Sequence, residues 1–587
     1  MKAATSRWWA LSVAVLAVAS SAIGIVNKFT YDDRYVVELN PIMKGMAGWW
    51  RVFATSYWPR NWGGDGYRPI TILAYKIEYN IGGGSPVVFH AVNIALYVLA
   101  SVLVFQLATR LFTPQRRWAA WLGAALFAVH PVHVEAVANV VGQSELIVAV
   151  LLIAATLLYV RDRLAGPLRT STAAWIALLY AVACFAKEHG IVLPAILGAA
   201  ELTLLLDREP WRERVPRLRP FYLTLALVAV SFVGVRSLVL ADHSIGGFAP
   251  FTPFSTLHIT TRDRVLTALG VVPEWIRLLY FPARLSSEYG PPDIEIAQGF
   301  SMSQIPGVAI LVALLTLGIV LRRRHPVVSF GVAFACITLL PSSNFLLPAG
   351  IVLAERTLFL PSAGAMLVAS VVLALVGERM GVQLASRRMT RLGAQVVAAI
   401  VLAAGLARSA QRTTVWRDNG RLFQQAVVDS PLSYRAHYIL GSWHFEHKRK
   451  REGEAEYRKA LSLFPYDPFL SHSLAERYRD VGLCGPALPL YRWTFGLDSL
   501  FPIGRSHFAW CLLNEGQYAE ARARAFDAIR AGGDLKGMRR VIQVTDSIKA
   551  AAGRTRRQTG VGQAGAPSKV RDTVQKTATA PALRPNS

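Results

Sequence analysis

The sequence predicts an all-α chain in two parts: a polytopic membrane domain of about eleven crossings, then an α-solenoid of short helical repeats. Three observations carry that expectation. Of the 587 residues, 53% are hydrophobic and only 17% charged, a composition suited to embedding rather than to a soluble core. The arginines cluster in every second loop between apolar runs, as the positive-inside bias requires. From Leu440 onward, small and large apolar residues recur at a constant offset of 34 residues.

The formal charge of +26 is therefore mainly a topology signal, with a minority suited to anionic lipid headgroups or a lipid-borne phosphate. No nucleic-acid partner is expected from it.

The first span, Trp8 to Val26, follows Lys2 and Arg7, which places the N-terminus in the cytoplasm. No small-residue cleavage site follows, so it reads as an uncleaved span rather than a signal peptide. Residues 27–86 form the first external loop. It carries Tyr31-Asp32-Asp33, Asn40-Pro41, a Trp- and Gly-rich patch and Tyr67-Arg68-Pro69. Ile70 to Ile81 is too short to cross and reads as an amphipathic interfacial helix.

Further apolar runs lie at 87–108, 118–129, 144–160, 172–186, 190–206 and 220–240. Clusters at Arg110, Arg116 and Arg117, at Arg161, Arg163 and Arg169, and at Arg208 to Arg219 mark the cytoplasmic loops. The connections His130 to Gln143 and Lys187-Glu188-His189-Gly190 then face outward with the Asp pair. Val265 to Pro282 breaks the parity set by Arg322-Arg323-Arg324 and is expected to dip into or lie on the external face. Runs at 305–321, 327–345, 357–377 and 393–409, with Arg387, Arg388 and Arg391 cytoplasmic, complete the membrane domain at residue 411.

Residues 412–549 then lie outside the cytoplasm. Leu440, Gly441, Gly453, Tyr457 and Ala460 align with Leu474, Ala475, Ala487, Tyr491 and Thr494, and again with Phe508, Ala509, Ala521, Ala525 and Ala528. This is the period of tetratricopeptide helix pairs, which stack because none buries its apolar face alone and so present a concave surface for extended peptides. A spacer or oligomerisation arm is the plainer alternative. Residues 550–587 lack apolar periodicity and read as a disordered basic tail. Cys484 and Cys511 pair only if this part is extracytoplasmic and their Cα atoms approach within about 7 Å.

Polar groups gather on the external side: Asp32 and Asp33, Arg68, His90 and Asn93, His130, His133 and Glu135, Lys187 and Glu188, and Glu355 and Arg356. Polar side chains at membrane depth are costly, so this many on one face implies a water-accessible cavity. A transfer reaction there needs a base to deprotonate an acceptor hydroxyl, for which a carboxylate serves. It also needs cations for a phosphate leaving group, for which Arg68, Lys187 and Arg356 are the candidates.

Each of these residues has a plainer reading. The Asp pair is then a solvated helix end, and Lys187-Glu188 and Glu355-Arg356 are interfacial charges stitching loops together. His130, His133 and Glu135 hint at a metal site but make an incomplete ligand set, so no metal or other cofactor is expected. The absence of a P-loop, a dinucleotide fingerprint or a nucleophile motif argues against an ATP-driven pump or a cytosolic nucleotide enzyme.

In order along the chain, Tyr31-Asp32-Asp33, Tyr67-Arg68-Pro69-Ile70-Thr71, Phe89-His90-Ala91-Val92-Asn93 and Phe127 to Val137 are the first strings that resemble one family. Gly142-Gln143-Ser144-Glu145-Leu146, Lys187-Glu188-His189-Gly190-Ile191, Phe281-Pro282 with Leu285-Ser286, and Ala354 to Ser362 continue the series. Together they resemble the transmembrane and tetratricopeptide repeat-containing proteins, over nearly the whole chain.

That resemblance implies a GT-C membrane glycosyltransferase fold. It also implies inverting transfer of a sugar, mannose or another hexose, from a polyprenyl-phosphate carrier to Ser/Thr hydroxyls of exported proteins, with no essential metal. By the same resemblance Asp32 and Asp33 supply the base, and the repeats bring the acceptor. The short array and short cytoplasmic loops point to a bacterial relative, a multi-pass protein of the cell (inner) membrane with its repeats in the periplasm. Two other readings stay open: a non-catalytic scaffold whose repeats assemble an envelope complex, and a handler of lipid-linked sugar acting on glycan or lipid.

Overall fold

The computed structural model describes residues 2–59, 66–241, 259–379, 388–501 and 503–559. Among these the regular structure is helical, with one isolated bridge between Tyr289 and Leu353. The chain divides into two compact units, Met1–Leu470 and Ser471–Ser587.

The first unit opens with α1 (Lys2–Ser21), α2 (Pro69–Ile81), α3 (Pro86–Leu111), α4 (Arg117–Ala128), α5 (Val134–Ala138) and α6 (Gln143–Ala165). It continues with α7 (Thr170–Ala186), α8 (Leu193–Leu202), α9 (Trp211–Ala241) and α10 (Thr261–Tyr280). Then come α11 (Ile305–Val320), α12 (Pro326–Leu339), α13 (Phe359–Arg379) and α14 (Arg388–Val415). Proline opens α2, α3 and α12, where its missing N–H has no intrahelical partner to lose.

Seven described segments are long and apolar enough to cross a membrane, or eight if the bent pair Pro114–Ala128 and Pro131–Ala138 is one span. The chain is thus a multi-pass membrane protein. The apolar runs that suggest about eleven crossings are all helical but of two lengths. Thr170–Ala186 and Pro326–Ser342 fall short of the full span, and within 190–206 only ten residues form α8. The run 265–282 is α10, which is not among the full-length spans. The spans Val140–Ala165 and Glu355–Arg379 are 78% and 67% enclosed by protein, against 11% for Trp211–Ala241. These two are therefore the most enclosed spans, and one of them, Glu355–Arg379, begins with the predicted site residues Glu355 and Arg356.

One arginine used as a topology marker has a structural task. Buried Arg214 donates to the carbonyls of Glu201 (3.0 Å), Leu205 (2.9 Å), Leu206 (2.8 Å) and Glu209 (2.7 Å). It satisfies one carbonyl in the last turn of α8 and three in the turn that follows.

After α14 come α15 (Asn419–Asp429), α16 (Tyr434–Glu446) and α17 (Lys450–Leu463), still in the first unit. The sequence reading ends the membrane domain at residue 411. The segment after α14 is tied back to the loop that follows α1: Lys28 N donates to Arg417 O at 3.0 Å and Asn27 Nδ2 to Thr413 O at 3.3 Å. α16 and α17 meet through paired glycines. A Cβ on Gly441 would lie 2.7 Å from the Tyr457 ring, and one on Gly453 would lie 2.7 Å from the Phe445 ring.

Helices α18 (Pro468–Asp480), α19 (Cys484–Leu497), α20 (Arg505–Asn514), α21 (Tyr518–Arg530) and α22 (Leu535–Thr559) follow. Lys450, Cys484 and Tyr518 open successive second helices, at the 34-residue interval read from the sequence. Their packed faces reuse the same positions: Ala487, Tyr491, Ala509, Ala521, Ala525 and Ala528 are all buried.

Helix continues past residue 550. α22 runs on to Thr559, because Ala, Arg and Gln favour helix without apolar periodicity. Residues 560–587, with Arg387 between α13 and α14, lie outside the described residues.

Cys484 and Cys511 form a disulfide with Cα atoms 5.0 Å apart, while Cys184 and Cys336 are free. Alkylation of the denatured, unreduced chain should therefore mark two of the four cysteines and mark all four only after reduction. Four marked cysteines before reduction would contradict the bridge.

Candidate active site

Asp33 is the most tightly held of the predicted site residues. Its side chain is fully buried, and its carboxylate accepts N–H groups from Thr30 (3.0 Å), Val140 (3.2 Å) and Val141 (2.8 Å). The first bond, with Asp33 N donating to Thr30 O at 3.0 Å, closes a turn. The other two reach the short turn Val140–Gly142 at the head of α6. Gly142 makes that approach possible, since a Cβ there would sit 2.2 Å from Ala136 O. Burial pushes the Asp33 carboxyl up to about 7, although the three N–H groups pull it down. A carboxylate this enclosed is not a solvated helix end.

Asp32 stands in another environment. It is half-buried, and among the described residues no hydrogen bond reaches its carboxylate. Burial raises its pKa to about 6, against the pull of Arg356 and Arg435 and with the push of Glu288 and Glu135. Two neighbours in sequence thus have opposite fates: one is spent on backbone donors, and the other is left open.

The cations around this loop are paired with carboxylates from other elements. Arg68 Nε donates to Glu188 Oε2 at 3.0 Å, and its guanidinium lies 4.5 Å from the centre of the Tyr57 ring. Burial resists the Glu188 charge, yet Arg68 and then Lys187 bring its carboxyl down to about 2. Lys187 pairs with Glu145, whose other oxygen is 3.4 Å from His189 Nδ1. Burial lowers Lys187 to about 8, while Glu145 acts in the opposite sense. Arg356 pairs with Glu135, whose Oε2 also accepts the Arg356 backbone N–H at 2.9 Å.

Glu355 turns away from its neighbour and accepts Ser286 N and Tyr289 Oη, both at 2.6 Å. Neither Lys187-Glu188 nor Glu355-Arg356 is an ion pair in itself. Each of the four residues reaches a different element, and between them they join α2, α5, α6 and the segment after α10.

His90, Asn93, His130 and His133 are not brought to Asp32. All four are buried. Asn93 donates to Val137 O at 3.2 Å and Asn139 O at 3.1 Å. His130 Nδ1 accepts Val132 N at 3.3 Å, so the neutral ring donates through Nε2 to Leu279 O at 3.0 Å. His133 bridges Tyr97 Oη at 3.2 Å and Ser362 Oγ at 2.8 Å. These bonds brace the break between α4 and α5. Among the described residues no three His, Cys, Asp or Glu side chains converge as a metal-binding group.

Glu145, Glu288 and Arg435 are missing from the sequence-based site. Glu145 carries a readable signal, an acidic residue at the start of an apolar span. Glu288 and Arg435 carry none, because their significance is a meeting across 147 residues, with Arg435 Nε 3.1 Å from Glu288 Oε2.

An open carboxylate beside carboxylate-paired cations at one end of a membrane bundle can accept a proton and face a departing anion. No family model matches the chain. It is 24% identical over 453 residues to a protein O-mannosyl-transferase of Caenorhabditis elegans, which covers 74% of this chain and 60% of that protein. To the protein O-mannosyl-transferases TMTC1 and TMTC4 of Homo sapiens it is 25% and 27% identical, over 77% and 74% of this chain and 55% and 63% of theirs. The chain is a relative of the protein O-mannosyl-transferases. It spans about 55–63% of the length of these relatives.

The contrast between the two aspartates is measurable as stability. Asp33→Ala strands three buried N–H groups and should cost at least about 2–3 kcal/mol, lowering the unfolding temperature of the detergent-solubilised chain. Asp32→Asn should leave that temperature unchanged or raise it, because it removes a charge that burial disfavours. The reverse order would contradict this division of roles.

Proposed function

We propose that the chain is a polytopic membrane glycosyltransferase that moves a hexose, such as mannose, from a polyprenyl-phosphate carrier to Ser/Thr hydroxyls of exported proteins. The observation that carries this reading is the open Asp32 carboxylate beside paired cations, in a relative of the protein O-mannosyl-transferases.

Asp32 takes the acceptor hydroxyl proton as the oxygen attacks the anomeric carbon. The new C–O bond forms on the face opposite the lipid phosphate, whose bond to that carbon breaks, so the configuration inverts. The leaving phosphate carries its charge to Arg68, Lys187 and Arg356, whose carboxylate partners hold them in place beforehand. Asp33 keeps the loop in register with the head of α6 and does not itself react. No metal is assigned a step.

An external placement of this face is supported by three features. The disulfide Cys484–Cys511 suits an oxidising compartment. The contacts of residues 27 and 28 with 413 and 417 put the first loop on the same side as the start of the repeats. The arginine clusters mark the opposite face as cytoplasmic. The 34-residue hairpins from α18 onward fit a tetratricopeptide array that presents acceptor segments.

Glycan mass spectrometry of exported proteins from wild-type, deletion and Asp32→Asn cells tests the reading. One hexose-bearing modification should vanish in the deletion and fall by about 100-fold or more in Asp32→Asn, the scale of a lost general base. Unchanged glycans in both strains would overturn it. With purified chain, the rate should fall as the pH drops through about 6, where Asp32 takes up a proton and ceases to be a base. A rate that does not fall between neutral pH and pH 5 would remove Asp32 from that role.

A further inference from the structure

Tyr31, the residue before Asp32, has φ 53°. A bulky side chain enters this left-handed region only where its surroundings over-determine it. Because Tyr31 adjoins Asp32 directly, its backbone angles set the direction in which the Asp32 carboxylate leaves the chain.

Most of what holds Tyr31 there comes from the hairpin α15–α16. Asn419 Oδ1 accepts the Tyr31 backbone N–H at 2.8 Å. The Phe423 ring meets the Tyr31 ring edge-on, with centroids 6.1 Å apart. The Tyr31 hydroxyl donates to Glu288 and accepts from Arg435 Nη2 at 3.1 Å, while Arg435 Nε donates to Glu288 Oε2 at 3.1 Å. Just beyond the Asp pair, Arg34 Nη1 donates to Glu446 Oε2 at 3.1 Å. A hairpin that served only as an acceptor-binding arm would need none of these bonds.

We propose that α15–α16 is part of the transfer site, with Asn419 and Arg435 as positioning residues that hold Tyr31, and through it the Asp32 carboxylate. The effect on rate rests on the transferase reading; the effect on Asp32 itself does not. Arg435 also contributes charge. The groups whose fields reach Asp32 are Arg356 and Arg435, Glu288 and Glu135, with Asp33, Tyr31, Tyr35 and Tyr57 nearby.

The test uses the full chain in detergent as wild type, Arg435→Gln, Arg435→Lys and Asn419→Ala, with two readouts. The first is carbodiimide labelling of Asp32 across acidic to neutral pH, read by peptide mass spectrometry, since the reagent attacks the protonated carboxyl. The second is hexose transfer from polyprenyl-phosphate mannose to a Ser/Thr-rich peptide. Wild-type labelling should be half lost near pH 6. Arg435→Gln should move that midpoint upward by about half a unit or more, and Arg435→Lys should restore much of it by returning the charge. Asn419→Ala removes one acceptor and should speed Asp32 labelling, so it reports even if Arg435→Gln does not fold. In transfer, Arg435→Gln and Asn419→Ala should lower kcat about tenfold or more, with little change in KM for the lipid donor.

Labelling of Asp32 identical to wild type in both Arg435→Gln and Asn419→Ala would overturn the proposal. A shifted midpoint in a chain whose wild type transfers nothing would uphold the positioning role and overturn the transferase reading instead.

Discussion

The three backbone N–H groups that converge on Asp33 are the constraint on which the site depends. They fasten the loop after the first span to the head of a central helix more than a hundred residues later, with 2.8–3.2 Å bonds to Val140 and Val141. A buried carboxylate is costly unless its lone pairs are met, so Asp33 is stable only where Thr30, Val140 and Val141 present donors together. Once that junction forms, Asp32 is left half-buried without such donors among the described residues. The division of labour between adjacent aspartates follows from which of them the backbone captures.

The cations around them obey a related rule. A charge at membrane depth survives by pairing, and here Arg68, Lys187, Arg356 and Arg435 each pair with a carboxylate from another element. For Lys187 and Glu145, removing either member leaves the other buried and alone, at a cost of about 3–5 kcal/mol. The same pairs that keep the bundle together therefore hold positive charge in fixed places at one end of it. Such preorganisation favours charge that develops during a reaction, because the groups need not reorient when it appears. The first hairpin after the last span joins the same arrangement through Arg435 and lies with it in the unit Met1–Leu470.

How much of this the sequence revealed depended on the range of each signal. Apolar runs and the 34-residue period are local or periodic, and both reappear as helices at the expected places. The alternation of arginine clusters is the signal from which the polar residues were expected on one side. Pairing was not: Lys187 and Glu188 look like partners but bond to Glu145 and Arg68, because a helix start sends adjacent side chains in different directions. Buried Asn93, His130 and His133 looked functional beside charged groups in the sequence, yet they bond backbone groups and hydroxyls around the break between α4 and α5. Arg214 looked like a topology marker and turned out to cap a helix. The positive φ of Tyr31 and the reach of Arg435 to Glu288 lie beyond any sequence pattern, because both arise from contacts between segments well over a hundred residues apart.

The most direct measurement of the central claim is the structure of the chain with a polyprenyl-phosphate mannose bound. The account predicts the lipid phosphate among Arg68, Lys187 and Arg356, with the anomeric carbon facing Asp32 and no protein group between them. A phosphate bound at the opposite membrane face, among Arg163, Arg214 and their neighbours, or a sugar directed at Asp33 rather than Asp32, would contradict it.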